Sequence, residues 1–165
     1  MGKRRLARES ALQILYQLEF DGSRVDSAID LFWQNKRAPA ETREYSRRLV
    51  EGIIAGQREI DEAIQSISQH WRIQRMALVD RNILRLAAFE LLNSPHIAPA
   101  VVINEAIEIA KKFSGPEAAT FVNGILDALR KKIQAGEKPG REVNNVPTGR
   151  PDKKSRTAAR RSKKD

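Results

Sequence analysis

Apolar residues in this chain recur at steps of three and four, and that spacing restricts the fold more than any other feature. Val102, Ala106, Ile109, Ala110 and Phe113 follow one another this way, as do Val122, Ile125, Leu126, Leu129 and Ile133. In a helix of about 3.6 residues per turn, each set forms a single stripe that has to be buried against another helix. No segment alternates apolar and polar residues as a half-buried strand would. The expected architecture is all-α, a compact bundle of about seven helices.

Breakers divide the pattern. The first helix is expected from about Arg4 to Phe20, closed by Asp21-Gly22. Others are expected over Asp26–Asn35, Glu41–Ile54 with interruptions at Gly52 and Gly56, Glu59–Gln69, and Leu78–Leu92. Asn93-Ser94-Pro95 then breaks the chain. Pro99 and Pro116 suit first helical positions, where a missing N–H costs nothing, and they open helices running to Phe113 and about Ile133.

Charge separates the end of the chain from the rest. The formal net charge is +9 over 165 residues, and residues 137–165 hold ten Lys/Arg against four Asp/Glu. An excess of that sign points to a polyanionic partner, most often nucleic acid. From Gly136 onward Gly and Pro recur and apolar residues are sparse. Such a stretch cannot bury enough apolar surface to offset its ordering entropy. The reading is therefore a helical domain over residues 1–135 and a disordered basic tail over 136–165.

Several chemistries lack their residues. There is no cysteine, hence no disulfide framework and no thiolate chemistry. His70 and His96 lie far apart without companion ligands, whereas a metal site needs three or four converging ones. No phosphate-binding glycine loop or nucleophile motif is present. Glu105 and Glu108 share a helix face and read as a solvated surface. Apolar stretches such as Ala98–Ile103 are too short to span a bilayer. The expectation is a cytoplasmic protein that is not an enzyme and needs no cofactor or metal.

Three clusters stand out. Lys3, Arg4, Arg5 and Arg8 gather at the start of the first helix, and Arg5, Arg8, Leu12 and Tyr16 share a face. Guanidinium groups grip phosphates bidentately and stack on bases. These cations oppose the helix dipole, which favours a functional reason for them over a solvated surface. In Phe121-Val122-Asn123-Gly124, Val122 lies on the core stripe, so Phe121 either widens the core or stands free to stack on a base. Gly124, inside an apolar helical run, suggests a close helix approach. In Asp80-Arg81-Asn82-Ile83-Leu84-Arg85, apolar residues face inward and the charges read chiefly as solvated.

The stretches RRLARESALQILYQLEF, DRNILRLAAFELL, VVINEAIEIAKKFSG and FVNGILDALRKK, taken in order over about residues 4–133, resemble the NusB family. The resemblance implies an all-helical transcription antitermination factor without catalytic activity. Such a factor binds boxA, a short single-stranded element of nascent ribosomal RNA, as a heterodimer with the ribosomal protein NusE. It then joins NusA, NusG and RNA polymerase. By the same resemblance Lys3, Arg4, Arg5, Arg8, Phe121 and Asn123 are RNA-binding positions, and Glu117 is an acid that restrains RNA affinity. Tyr16, Asp80 and Arg85 fall at the NusE surface, with Asp80 standing where some relatives carry Glu. The tail is longer than the family pattern, and the segment before Phe121 is less polar.

Other readings compete. One is an accessory RNA-binding or scaffold protein in ribosomal RNA processing or modification, such as the NusB-like domains fused to RNA methyltransferases, but no methyl-donor segment is present. A helix-turn-helix DNA reader would need a shorter connection than Asn93–Ala98. Monomer and homodimer both remain open.

Overall fold

A computed structural model describes residues 2–136. The proposed tail lies outside the described residues, apart from Gly136. Within them the chain forms α1 (Lys3–Phe20), α2 (Val25–Trp33), α3 (Ala40–Ala55), α4 (Gln57–Ile67), a 3-10 turn (Ile73–Arg75), α5 (Leu78–Asn93), α6 (Pro99–Phe113) and α7 (Pro116–Gln134). The helices fall where periodicity places them, and α6 has the expected limits. The 3-10 turn was not foreseen; Ile73 and Met76 both turn into the core there, fixing a short segment that has no room for a full helix.

Two helices organise the bundle. α1 packs on α2, α3 and α5, while α5 also packs on α4, α6 and α7. Ile14, Ile53, Ile64, Ile83, Leu84 and Leu126 are almost fully buried where these helices meet. Because α1 is enclosed on most sides, Arg8, Glu9 and Ser10 are buried along with its apolar residues. The shared face of Arg8, Leu12 and Tyr16 therefore starts in the interior and reaches solvent only at Tyr16.

Two glycines behave differently from expectation. Gly52 does not interrupt α3; a Cβ there would collide with the Phe89 ring, so the glycine lets α5 pack closely. Gly124, expected at a close approach, has open space where its Cβ would be. It leaves a bare patch beside exposed Asn123 on α7. Gly56 does end α3, as its backbone N–H donates to Gly52 O.

Candidate RNA and protein interfaces

The arginine-rich start of α1 is tied down by carboxylates from other helices. Arg5 donates from Nε and Nη2 to the two oxygens of Glu105 on α6, both at 2.8 Å. Arg8 donates from Nε and Nη2 to Glu90 on α5 at 2.6 and 2.9 Å. Tyr45 of α3 adds its hydroxyl to the same Glu90 carboxylate at 2.8 Å. Arg4 stacks over the Tyr45 ring at 5.4 Å and otherwise faces solvent. Lys3 approaches Glu41 at 3.8 Å between two exposed side chains, which is a weak contact in water.

Protonation follows these contacts. The hydrogen bonds from Arg5, and its charge, hold the Glu105 carboxyl below the usual range despite partial burial. Burial and then Glu90 push the Tyr45 hydroxyl up to about 12. Burial alone would lower the Arg8 pKa, but the hydrogen-bonded Glu90 carboxylate more than offsets it, and the guanidinium stays charged.

Two expectations need correcting here. Glu105 is not part of a solvated face, since it is the partner of Arg5. Arg8 is only 5% exposed, so this guanidinium meets a carboxylate and not bulk solvent. Cations at the N-terminus of α1 are tolerated because carboxylates from α5 and α6 balance them. At the start of α1, Lys3 and Arg4 are exposed and Arg5 is half-exposed beside Glu105.

α6 connects this end to α7. Arg5–Glu105 and Lys112–Glu9 (3.0 Å) run from α1 to α6, and α6 packs along α7. Phe121 on α7 is half-buried and packs against the core. Exposed Asn123 and Gly124 continue the surface. Glu117 is exposed in the first turn of α7, where its charge suits the helix dipole. Among the described residues, no hydrogen bond, ion pair or cation–π contact joins Phe121 or Asn123 to Arg4 or Arg5.

A second surface lies at the other end of α1. Tyr16, 39% exposed, makes an edge contact with Phe20 at 5.1 Å, and Phe20 is 65% exposed. Tyr16 also lines an apolar groove of about 680 Å³ with Leu31 and Phe32 of α2, Val79 of α5 and Phe113 of α6. Asp80 follows Val79 and accepts a hydrogen bond from Ser114 Oγ at 2.7 Å. The sequence placed Tyr16 and Asp80 together only through a resemblance; the fold brings their neighbourhoods together through the walls of this groove.

Arg85 is turned inward, away from any partner surface. It is 5% exposed and donates to both oxygens of Asp61 at 2.8 and 2.9 Å and to Glu19 at 2.9 Å. Arg81 holds the other oxygen of Glu19 at 2.8 Å. Burial would raise the Glu19 pKa, but the Arg81 and Arg85 contacts leave it lowered. This pair of arginines, expected to be solvated, pins the end of α1 to α4 and α5.

Glu90 and Tyr45 were missed as site residues. A signal for Glu90 was available: it follows Ile83 and Ala87 at steps of four and three, so it lies on the core face of α5 and requires a buried cation. Nothing in the sequence of α3 marks Tyr45.

Known proteins resemble this chain in sequence and in fold. The sequence profile of the NusB family matches residues 5–131. The transcription antitermination protein NusB of Sorangium cellulosum is 41% identical over 133 residues, covering 81% of this chain and 95% of that protein. The T. maritima NusB structure superposes with a TM-score of 0.73 at 34% identity, covering 84% of this chain and 94% of that one. A chain from the crystal structure of antitermination factors NusB and NusE in complex with dsRNA superposes with a TM-score of 0.70 at 31% identity, covering 79% and 98%. The chain belongs to the NusB family of transcription antitermination proteins.

Proposed function

We propose that this protein binds single-stranded boxA RNA of nascent ribosomal transcripts at the Lys3–Arg5 and Phe121–Gly124 surface while NusE occupies the groove at Tyr16. Carrying this reading is the separation of two differently built surfaces on α1, cationic at its start and apolar at its end. Phosphates take the cations, and unstacked bases meet the outward part of Phe121 and the Asn123 amide. The apolar groove has the character of the central part of a protein interface. A likeness to a chain solved with NusE and RNA supports pairing the two ligands on one protein.

In this reading the complex joins NusA, NusG and RNA polymerase in the cytoplasm, and the protein acts by binding without catalysing a reaction. Among the described residues no helix is long and apolar enough to cross a membrane. Arg85 contributes to the NusE surface only by positioning Glu19 and the end of α1. The decisive experiment is fluorescence anisotropy of boxA RNA and a scrambled control, each with and without NusE, over a salt series. Preference for boxA, tightened by NusE, supports the reading. Equal binding of both RNAs with no help from NusE overturns it.

A further inference from the structure

The segment between α4 and α5 has no part in either surface, yet it presents an indole to solvent. Trp71 is 60% exposed, and His70, Arg72 and Arg75 around it are exposed too. The segment is rigidly anchored. Trp71 O accepts hydrogen bonds from Ser68 Oγ at 3.0 Å and Gln65 Nε2 at 3.1 Å. Gln65 also donates to Ser68 O at 2.7 Å, and its Oε1 accepts from Ile73 N at 2.9 Å. Ile73 and Met76 anchor the segment in the core.

Its charge has one sign. No acidic residue occurs between Glu62 and Asp80. Among the described residues, Arg72 and Arg75 enter no ion pair, in contrast to Arg5, Arg8, Arg81 and Arg85. An exposed large aromatic loses the stabilisation that burial would give it. Presenting one in the open on a backbone-anchored segment that also carries exposed Arg72 and Arg75 suits a ligand with a flat π-face and a negative charge next to it. A nucleotide has both, and stacking on a residue whose backbone is already anchored avoids the entropy of ordering a loop.

We propose that Trp71, Arg72 and Arg75 form a second contact for single-stranded RNA, in which one base stacks on the indole and the arginines hold the flanking phosphates. It rests on the RNA-binding reading above for its ligand class and uses none of the residues of that surface. Charge complementarity favours RNA here over a protein partner, which would be expected to meet a larger apolar patch.

The test compares short boxA RNA with the same RNA extended at both ends by about ten uridines, long enough to offer several nucleotides to a further contact. In full-length Trp33→Phe protein, Trp71 fluorescence should be quenched by the extended RNA and not by the short one. With Trp33 intact, Trp71→Ala should weaken binding of the extended RNA by about tenfold and leave short boxA unaffected, while Trp71→Phe restores most of the loss. The Arg72→Ala/Arg75→Ala variant should lower the salt slope for the extended RNA by about 1.4. Equal affinity for both RNAs without quenching overturns the proposal while leaving the boxA surface standing. Quenching by NusE in place of RNA also overturns it, by making the indole a protein contact. Failure of both RNAs to bind overturns the RNA reading as a whole.

Discussion

Arg8 on α1 and Glu90 on α5 form a buried bidentate ion pair, with the Tyr45 hydroxyl as a third member on the carboxylate. Both charged side chains are nearly inaccessible to water. Each charge is tolerable in the interior only because of the other. The pair is therefore a structural fastener beneath the cationic start of α1.

Removing one partner should be far worse than removing both. Arg8→Ala or Glu90→Ala should destabilise the protein by about 3–5 kcal/mol in urea unfolding, whereas Arg8→Met/Glu90→Leu should recover most of the loss. A single substitution within 1 kcal/mol of wild type would show that the pair is not buried as described.

Tyr45 should report the same contact through its titration. A phenol whose folded pKa is raised stabilises the fold fully below its ordinary value of 10.0, and that contribution is lost as pH rises toward about 12. In a Tyr16→Phe background, ultraviolet absorbance should show the Tyr45 phenolate appearing near 12. Adding Glu90→Gln should bring it back toward 10. A titration near 10 with Glu90 intact would contradict the contact.

Arg5 and Glu105 make a milder version of the same arrangement, at a partly open site. A phosphate and the Glu105 carboxylate compete for one guanidinium. Glu105→Gln should release it, tighten boxA binding by roughly three- to tenfold and steepen the salt dependence. Arg5→Ala should weaken binding and flatten it. Unchanged affinity in Glu105→Gln, measured by anisotropy at matched salt, would mean that Arg5 does not reach the RNA.

The two glycines should respond with opposite signs. Gly52→Ala forces a methyl group into the Phe89 ring and should cost about 1–3 kcal/mol. Gly124→Ala meets open space in a helix and should stabilise by up to ~1 kcal/mol. Thermal unfolding of the two variants separates these outcomes, and a shift of the same sign in both would contradict the packing.

The helices were legible because each apolar stripe is a local record of its own burial. Pro99 and Pro116 marked two starts correctly, and the stripe from Val102 to Phe113 marked a whole helix. Partnership between distant charges was not legible. Glu105 pairs across 100 positions with Arg5, and Glu90 across 82 with Arg8, and no spacing rule along the chain encodes such pairs. For the same reason Arg85 looked solvated until Asp61 and Glu19 were seen around it. Gly52 and Gly124 resemble each other in sequence and differ only in what lies opposite, which is a property of α5 and not of the glycines. The groove at Tyr16 draws its walls from four helices, so no single stretch of sequence marks it.

RNA and NusE should use opposite ends of α1. Amide chemical-shift mapping of the labelled protein with boxA RNA, followed by addition of NusE, tests this directly. RNA alone should shift residues 3–5 and 117–124, and NusE should then shift residues around Tyr16, Leu31 and Val79. RNA shifts confined to the Tyr16 groove, or NusE shifts at the arginine end, would contradict it.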